Sequence, residues 1–230
     1  MRVRTFLALL CTLLSAGHAQ SMSYGLAAFA NGSTALVAQG RIHRNEADRL
    51  LSFLQQTGVG PGIPRTLLLS SPGGELVGAL ALGATLRQLG VRTVVGSIAG
   101  DGYGQATLGA GQCHSACVFV LMGGTARSVI PGSRVGVHSP LPVMVVGGRA
   151  YVPDDATARY LAQRTGPALR LYARQMGVSP SLVDVANDVP HKMVRNLSSS
   201  ELARYSLVTQ RRNPRAVTKH QAPHRQRAGS

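Results

Sequence analysis

Three short segments of this chain carry residues that could do chemistry. The apolar run Leu67-Leu68-Leu69 ends in Ser70-Ser71-Pro72-Gly73-Gly74 and then enters an apolar helical pattern. That order spells a buried strand, a tight turn and a helix start. Consecutive glycines let the backbone approach a ligand closely and aim N–H groups at it, which a residue with a Cβ does less easily. Further along, Ser115 sits in Cys113-His114-Ser115-Ala116-Cys117, and His138 in Val135-Gly136-Val137-His138-Ser139-Pro140. An oxyanion-type turn, a serine and a histidine, in that order, point to acyl transfer.

Each of these residues also has a plainer reading. Ser115 lies at a strand-to-helix junction, where a serine commonly caps the helix. The positive end of the helix macrodipole would also favour a nucleophile there. A lone His138 at a strand end is ordinarily a hydrogen-bonded structural residue. His114 is a poorer base, because neighbouring residues at a helix start diverge. Cys113 and Cys117, four apart at a helix start, fall within bridging range. They form a disulfide or pack the turn as two buried thiols. A zinc site needs four ligands and finds only His114 nearby, so no metal is expected.

The elements that must position these residues follow from periodicity. Residues 35–42 read as a first strand, and Asn45 as the cap of a helix with Leu50, Leu51 and Leu54 on its inner face. Residues 58–64 are a loop. Residues 66–70 form a strand apolar enough to be covered on both faces. A helix spans 75–89 and stops at Gly90, followed by a strand over 91–98. The glycine-rich stretch 99–112 reads as mobile, 115–121 as a short helix, and 127–130 and 134–138 as strands. After an irregular stretch over 141–152, Asp154 caps a long helix reaching about Met176, and Ser179 caps a short one. Ser198 and Glu201 form a capping box for a last helix. Alternating strands and helices mean an α/β fold built on βαβ units.

Ser-Pro-Gly-Gly, the small-residue serine elbow and the Gly-x-His-x-Pro strand, in this order and spacing, resemble the ClpP/crotonase superfamily. Within it the chain is most similar to Clp-type serine peptidases and to bacterial periplasmic ClpP-like proteins. The resemblance runs from about Ala35 to Thr209 and implies a spiral of ββα units. It implies Ser115 as nucleophile, His138 as general base, and the amides of Gly74 and Ala116 as the oxyanion hole. Gly73, Ser139 and Pro140 then border the substrate groove. The family's acid precedes a Leu-Ser and a final helix. Matching through Leu197-Ser198 puts Pro190 at that position, so Asp188, two residues away, is the expected third member. Asp184, an Asn or a backbone carbonyl are the alternatives. The superfamily's lysine-dependent peptidases fit less well, because neither Lys192 nor Lys219 lies in a matching segment. No cofactor is expected.

Composition bounds the rest. A length of 230 residues suits one domain with short extensions, and the hydrophobic content of 44% suits a core of Leu, Val and Ala without Trp. Arg2 and Arg4, the apolar run from Phe6 to Leu14, and Gly17-His18-Ala19 read as a signal peptide over 1–19. The run is too short to span a bilayer comfortably. An extension over 20–34 and a basic tail over 210–230 flank the domain at 35–209. The net charge is +15, and the tail holds six cations and no acid. Having no aromatics to stack on bases, it predicts no specific nucleic-acid partner. It reads as a disordered segment, with contact to anionic envelope material as the alternative. The expected picture is an exported, periplasmic or secreted serine hydrolase acting on peptide or protein. Self-association is expected to be trimer-based, through apolar surface near Leu161, Leu169 and Leu171, without an ATPase partner. The competing picture is a non-catalytic envelope binding protein that retains the fold.

Overall fold

The computed structural model describes residues 21–58, 64–100, 106–141, 144–146 and 149–209. The signal-peptide reading, the centre of the loop at 58–64 and the basic tail lie outside the described residues. The described chain is a mixed α/β structure. Its larger sheet has the order β1 (Ser23–Ala28), β2 (Thr34–Gln39), β3 (Thr66–Ser70), β4 (Arg92–Val95) and β8 (Arg127–Val129). β1 runs antiparallel to β2, and the remaining neighbours are parallel. The sheet therefore begins earlier in the chain than Ala35, in the segment read as an extension.

The parallel strands are joined by α1 (Glu46–Gln56) between β2 and β3, and by α2 (Leu76–Gln88) between β3 and β4. β3 is central, so both faces of Leu67-Leu68-Leu69 are covered and all three are buried. Full burial of one leucine stabilises by about 1.5–3 kcal/mol. Gly96 interrupts the strand read over 91–98, and β5 (Ser97–Gly100) pairs antiparallel with β6 (Ala106–Gly109). A second sheet has the order β12 (Arg195–Asn196), β9 (Arg134–Val137) and β7 (Gln112–His114). A single bridge from Ser71 to Cys113 ties the two sheets together, and another from Ile42 to Gly74 continues the pairing beyond β2 and β3.

α3 (Cys117–Gly123) is wedged against α2 so closely that a Cβ on Gly123 would lie 2.1 Å from the Gly83 carbonyl oxygen. The stretch 141–152, read as irregular, contains a short ribbon of β10 (Met144–Val146) and β11 (Arg149–Tyr151). α4 (Asp155–Gln175), α5 (Ser181–Asn187) and α6 (Ser199–Arg204) complete the described chain.

Two expected caps hold. Asp154 accepts the Thr157 N–H, and Ser198 with Glu201 forms the full capping box. Two do not. Asn45 occupies the cap position of α1 but its side chain makes no capping bond; beside it, buried Glu46 takes the His43 N–H at 2.8 Å and pairs with Arg49. Ser179 bonds Ser181 through its hydroxyl, and Pro180 occupies the cap of α5.

The helix ends converge on Arg127. Its guanidinium donates to the carbonyls of Met122 and Gly124 at the end of α3, Met176 and Gly177 beyond α4, and Ser206 and Leu207 beyond α6. Burial, and secondarily the nearby Arg87, pull its pKa down to about 10. The cation faces carbonyls at helix C-termini, where the macrodipole is negative. Thr93, beside Arg127 in the sheet register, donates to the Leu121 carbonyl at 2.8 Å. These bonds anchor α3 to the sheet and so fix the turn before it.

Candidate active site

The first wall of the site is the turn after β3. Ser71 is buried, donates its N–H to the Gln112 carbonyl and accepts the His114 N–H, which pins the turn to β7. Its hydroxyl accepts the Gly73 N–H at 3.1 Å. The Gly73 carbonyl accepts the Ile42 N–H, and the Glu75 N–H donates to the Ile42 carbonyl. Backbone groups alternate in direction along an extended chain, so the Gly74 N–H is left on the side away from Ile42. It makes no hydrogen bond among the described residues. Both glycines hold positive φ, 101° and 147°. A Cβ on Gly74 would lie 2.1 Å from the Ile42 carbonyl oxygen. Only glycine fits.

The second wall is the elbow between β7 and α3. Ser115 has φ 57°, a left-handed conformation that side-chain-bearing residues rarely adopt. Its N–H donates to the Gly136 carbonyl at 2.9 Å, and its carbonyl accepts the Val118 N–H. Its hydroxyl makes no hydrogen bond among the described residues. Ala116, not Ser115, is the N-cap residue of α3, and no side chain caps that helix. The capping role is therefore vacant, and the Ala116 N–H, like that of Gly74, makes no hydrogen bond among the described residues. Cys113 and Cys117 form a disulfide across this elbow, with Cα atoms 5.2 Å apart.

The third wall follows β9. The Nδ1 of His138 lies 2.9 Å from the Ser139 carbonyl oxygen. A carbonyl only accepts, so this contact assigns the proton to Nδ1 and leaves the Nε2 lone pair free in the neutral ring. The Ser139 N–H donates to the Val189 carbonyl, which fastens this peptide to the segment after α5. Asp188 is not brought to His138: it is exposed at the end of α5 and its carboxylate has no hydrogen bond among the described residues. Asp184 pairs with Arg170 at 2.8 Å.

One cleft of about 480 Å³ joins these walls and is lined by Gly74, Ser115, Ala116, His138 and Pro140. Gly73 and Ser139 do not line it. Gly73 packs behind Ser115, and Ser139 acts through its backbone. His114 also stays outside the cleft lining. Its Nε2 is buried with no hydrogen-bond partner among the described residues, and burial lowers its pKa.

The sequence reading did not find the rest of the lining. Part of it is apolar, contributed by Val118 and Met122 from α3, Leu169 from α4, and Leu182 and Val183 from α5. That three helices contribute to one cleft is a property of the assembled fold. Arg41, Arg44 and Glu75 supply the fixed charges of the lining. Arg44 and Glu75 stand 3.7 Å apart, while the exposed Arg41 has no ion pair among the described residues.

Among the described residues no group of three or more His, Cys, Asp or Glu is placed to hold a metal ion. No described helix is long and apolar enough to cross a membrane. No protein-family model matches the chain, and no curated protein does. Among solved structures it is similar to a mutant of a membrane-bound stomatin-specific protease. The identity is 14%, the alignment covers 76% of this chain and 75% of that one, and the TM-score is 0.47.

Proposed function

We propose that this protein is a serine hydrolase that takes an acyl group from a peptide onto Ser115 and passes it to water. One observation carries the reading. Ser115 holds a left-handed backbone with an unbonded hydroxyl, in the same cleft as His138 and the unpaired amides of Gly74 and Ala116. A serine used only to cap α3 would need neither.

In this reading His138 Nε2 accepts the Ser115 proton as Oγ attacks the carbonyl carbon. The bond from Nδ1 to the Ser139 carbonyl keeps the lone pair on Nε2, the orienting task an acid performs in a triad. The carbonyl oxygen becomes negative as the carbon becomes tetrahedral, and the Gly74 and Ala116 amides receive it. His138 hands its proton to the leaving amine, and water repeats the sequence to release the acid. The apolar part of the cleft lining takes a substrate side chain. A carbonyl stabilises the imidazolium less than a carboxylate does, so turnover is slow.

The motif order supports placing the chain in the ClpP/crotonase superfamily, with its spiral of ββα units. The N-terminal segment supports export, with action in the periplasm or beyond as a trimer-based oligomer. A fluorophosphonate probe on the purified protein tests the chemistry. Ser115 becomes labelled, Ser115→Ala does not label, and His138→Ala labels far more slowly. An unlabelled wild type would sink the reading.

A second reading, a binding protein that retains the fold without turnover, is favoured by the exposed Asp188, which leaves His138 with no carboxylate partner among the described residues. It differs by predicting peptide binding in the cleft with no labelling at Ser115.

A further inference from the structure

We propose that the Cys113–Cys117 disulfide is a positioning element of the reaction: it holds Ser115 in its left-handed conformation, so that the nucleophile is presented to the cleft only in the oxidised chain. This rests on Ser115 acting as the nucleophile.

A residue with a Cβ keeps a positive φ only where its surroundings over-determine it. Two backbone hydrogen bonds hold Ser115, one to Gly136 and one from Val118. Gly73 is packed against its back, close enough that a Cβ there would meet the His114 carbonyl oxygen at 2.7 Å. No side chain caps the helix that follows. The disulfide supplies the remaining constraint by joining the residues two before and two after Ser115. The bond thus closes the smallest ring that contains the whole elbow.

Its placement suits a local role better than a global one. A disulfide stabilises chiefly by restricting the unfolded chain, and the effect grows with the length of loop closed. This loop is short, with a sequence separation of 4. Both cysteines are fully buried within the main core. Reduction adds two electrons and two protons, supplied by a dithiol that is itself oxidised to a disulfide, and leaves two thiols. A dithiol therefore reaches the bond slowly while the protein stays folded. Once the bond is open, the backbone of 114–116 is free to relax toward ordinary dihedral angles, which swings Oγ away from the cleft.

The test compares two double variants with the wild type, Cys113→Ala/Cys117→Ala and Cys113→Ala/Cys117→Val. The second restores much of the buried volume without the bond. Each is measured for fluorophosphonate labelling rate, for urea unfolding midpoint, and for amide hydrogen exchange at Ser115. The expected result is a labelling rate lowered about a hundredfold in both variants, the size of a nucleophile displaced by about an ångström. Both should stay folded, with faster exchange confined to 113–118. Rescue of labelling by the valine variant would assign the cysteines to packing and overturn the proposal. Wild-type labelling in both variants would overturn it, and so would failure of both to fold, which would make the bond a stability element. If the wild type itself does not label, the hydrolase reading has failed. The positioning role then stands or falls on the exchange at Ser115 alone.

Discussion

Gly73 and Ser115 sit back to back: a Cβ on Gly73 would lie 2.8 Å from the Cβ of Ser115. The missing side chain on one turn makes room for the left-handed elbow of the other. Gly73→Ala would force both to move, at a residue whose φ of 101° already excludes a Cβ without strain. The expected cost is about 1–3 kcal/mol in urea unfolding. If Ser115 acts as proposed, its labelling falls more steeply than stability, because the displaced atoms carry the hydroxyl.

Asp188→Asn should leave Ser115 labelling within about threefold of wild type, whereas loss of a buried triad acid costs about ten-thousandfold. The carboxylate is exposed and unbonded, and the Ser139 carbonyl already holds His138 Nδ1. A drop beyond about thirtyfold would mean that Asp188 reaches His138 when substrate is bound.

Arg127→Met should destabilise by at least about 3 kcal/mol, because carbonyls at the ends of three helices lose a shared donor inside the protein. Arg127→Lys should recover only part of this, since an ammonium cannot reproduce the planar fork. Urea denaturation of the two variants measures it. Equal stability of Arg127→Met and wild type would contradict the clamp.

Glu201 sets an acid limit on stability. Hydrogen bonds from the Ser198 backbone N–H and hydroxyl, with Arg195 adding less, hold its pKa below the usual carboxylate value. A depressed folded-state pKa contributes stability above the unfolded value that is lost as pH falls through the folded one. Asp154, held low first by the Thr157 backbone N–H, acts in the same direction. Thermal midpoints of wild type and Glu201→Gln should therefore differ at neutral pH and converge in acid. A gap that widened toward low pH would reverse the assigned sign.

Arg41 is the cation of the cleft lining without an acidic partner among the described residues. Peptides with an acidic residue should be preferred over their amide counterparts, more strongly at low salt than at high salt. Arg41→Ala should remove the preference and its salt dependence together. Equal preference in the variant would place the discrimination elsewhere.

The sequence by itself determined the local structure. Leu67-Leu68-Leu69 announces a strand buried on both faces, Ser-Pro-Gly-Gly a turn, and Ser198 with Glu201 a cap, because each depends on residues a few positions apart. Asn45 shows where that reach stops. Its side chain makes no capping bond, while its neighbour Glu46 is buried and accepts from Arg49 and the His43 N–H, and burial is a property of the assembled fold. The same holds at the site. The types and spacing of Gly74, Ser115 and His138 were visible in the chain. That all three line one cleft, that Cys113 and Cys117 are bonded rather than free, and that Ser115 leaves its cap role vacant became visible only in three dimensions. The partner of His138 is the sharpest case. Every residue carries a backbone carbonyl, so no side-chain pattern could single out that of Ser139. Only the packing of the β9 end against the segment after α5 aims it at Nδ1.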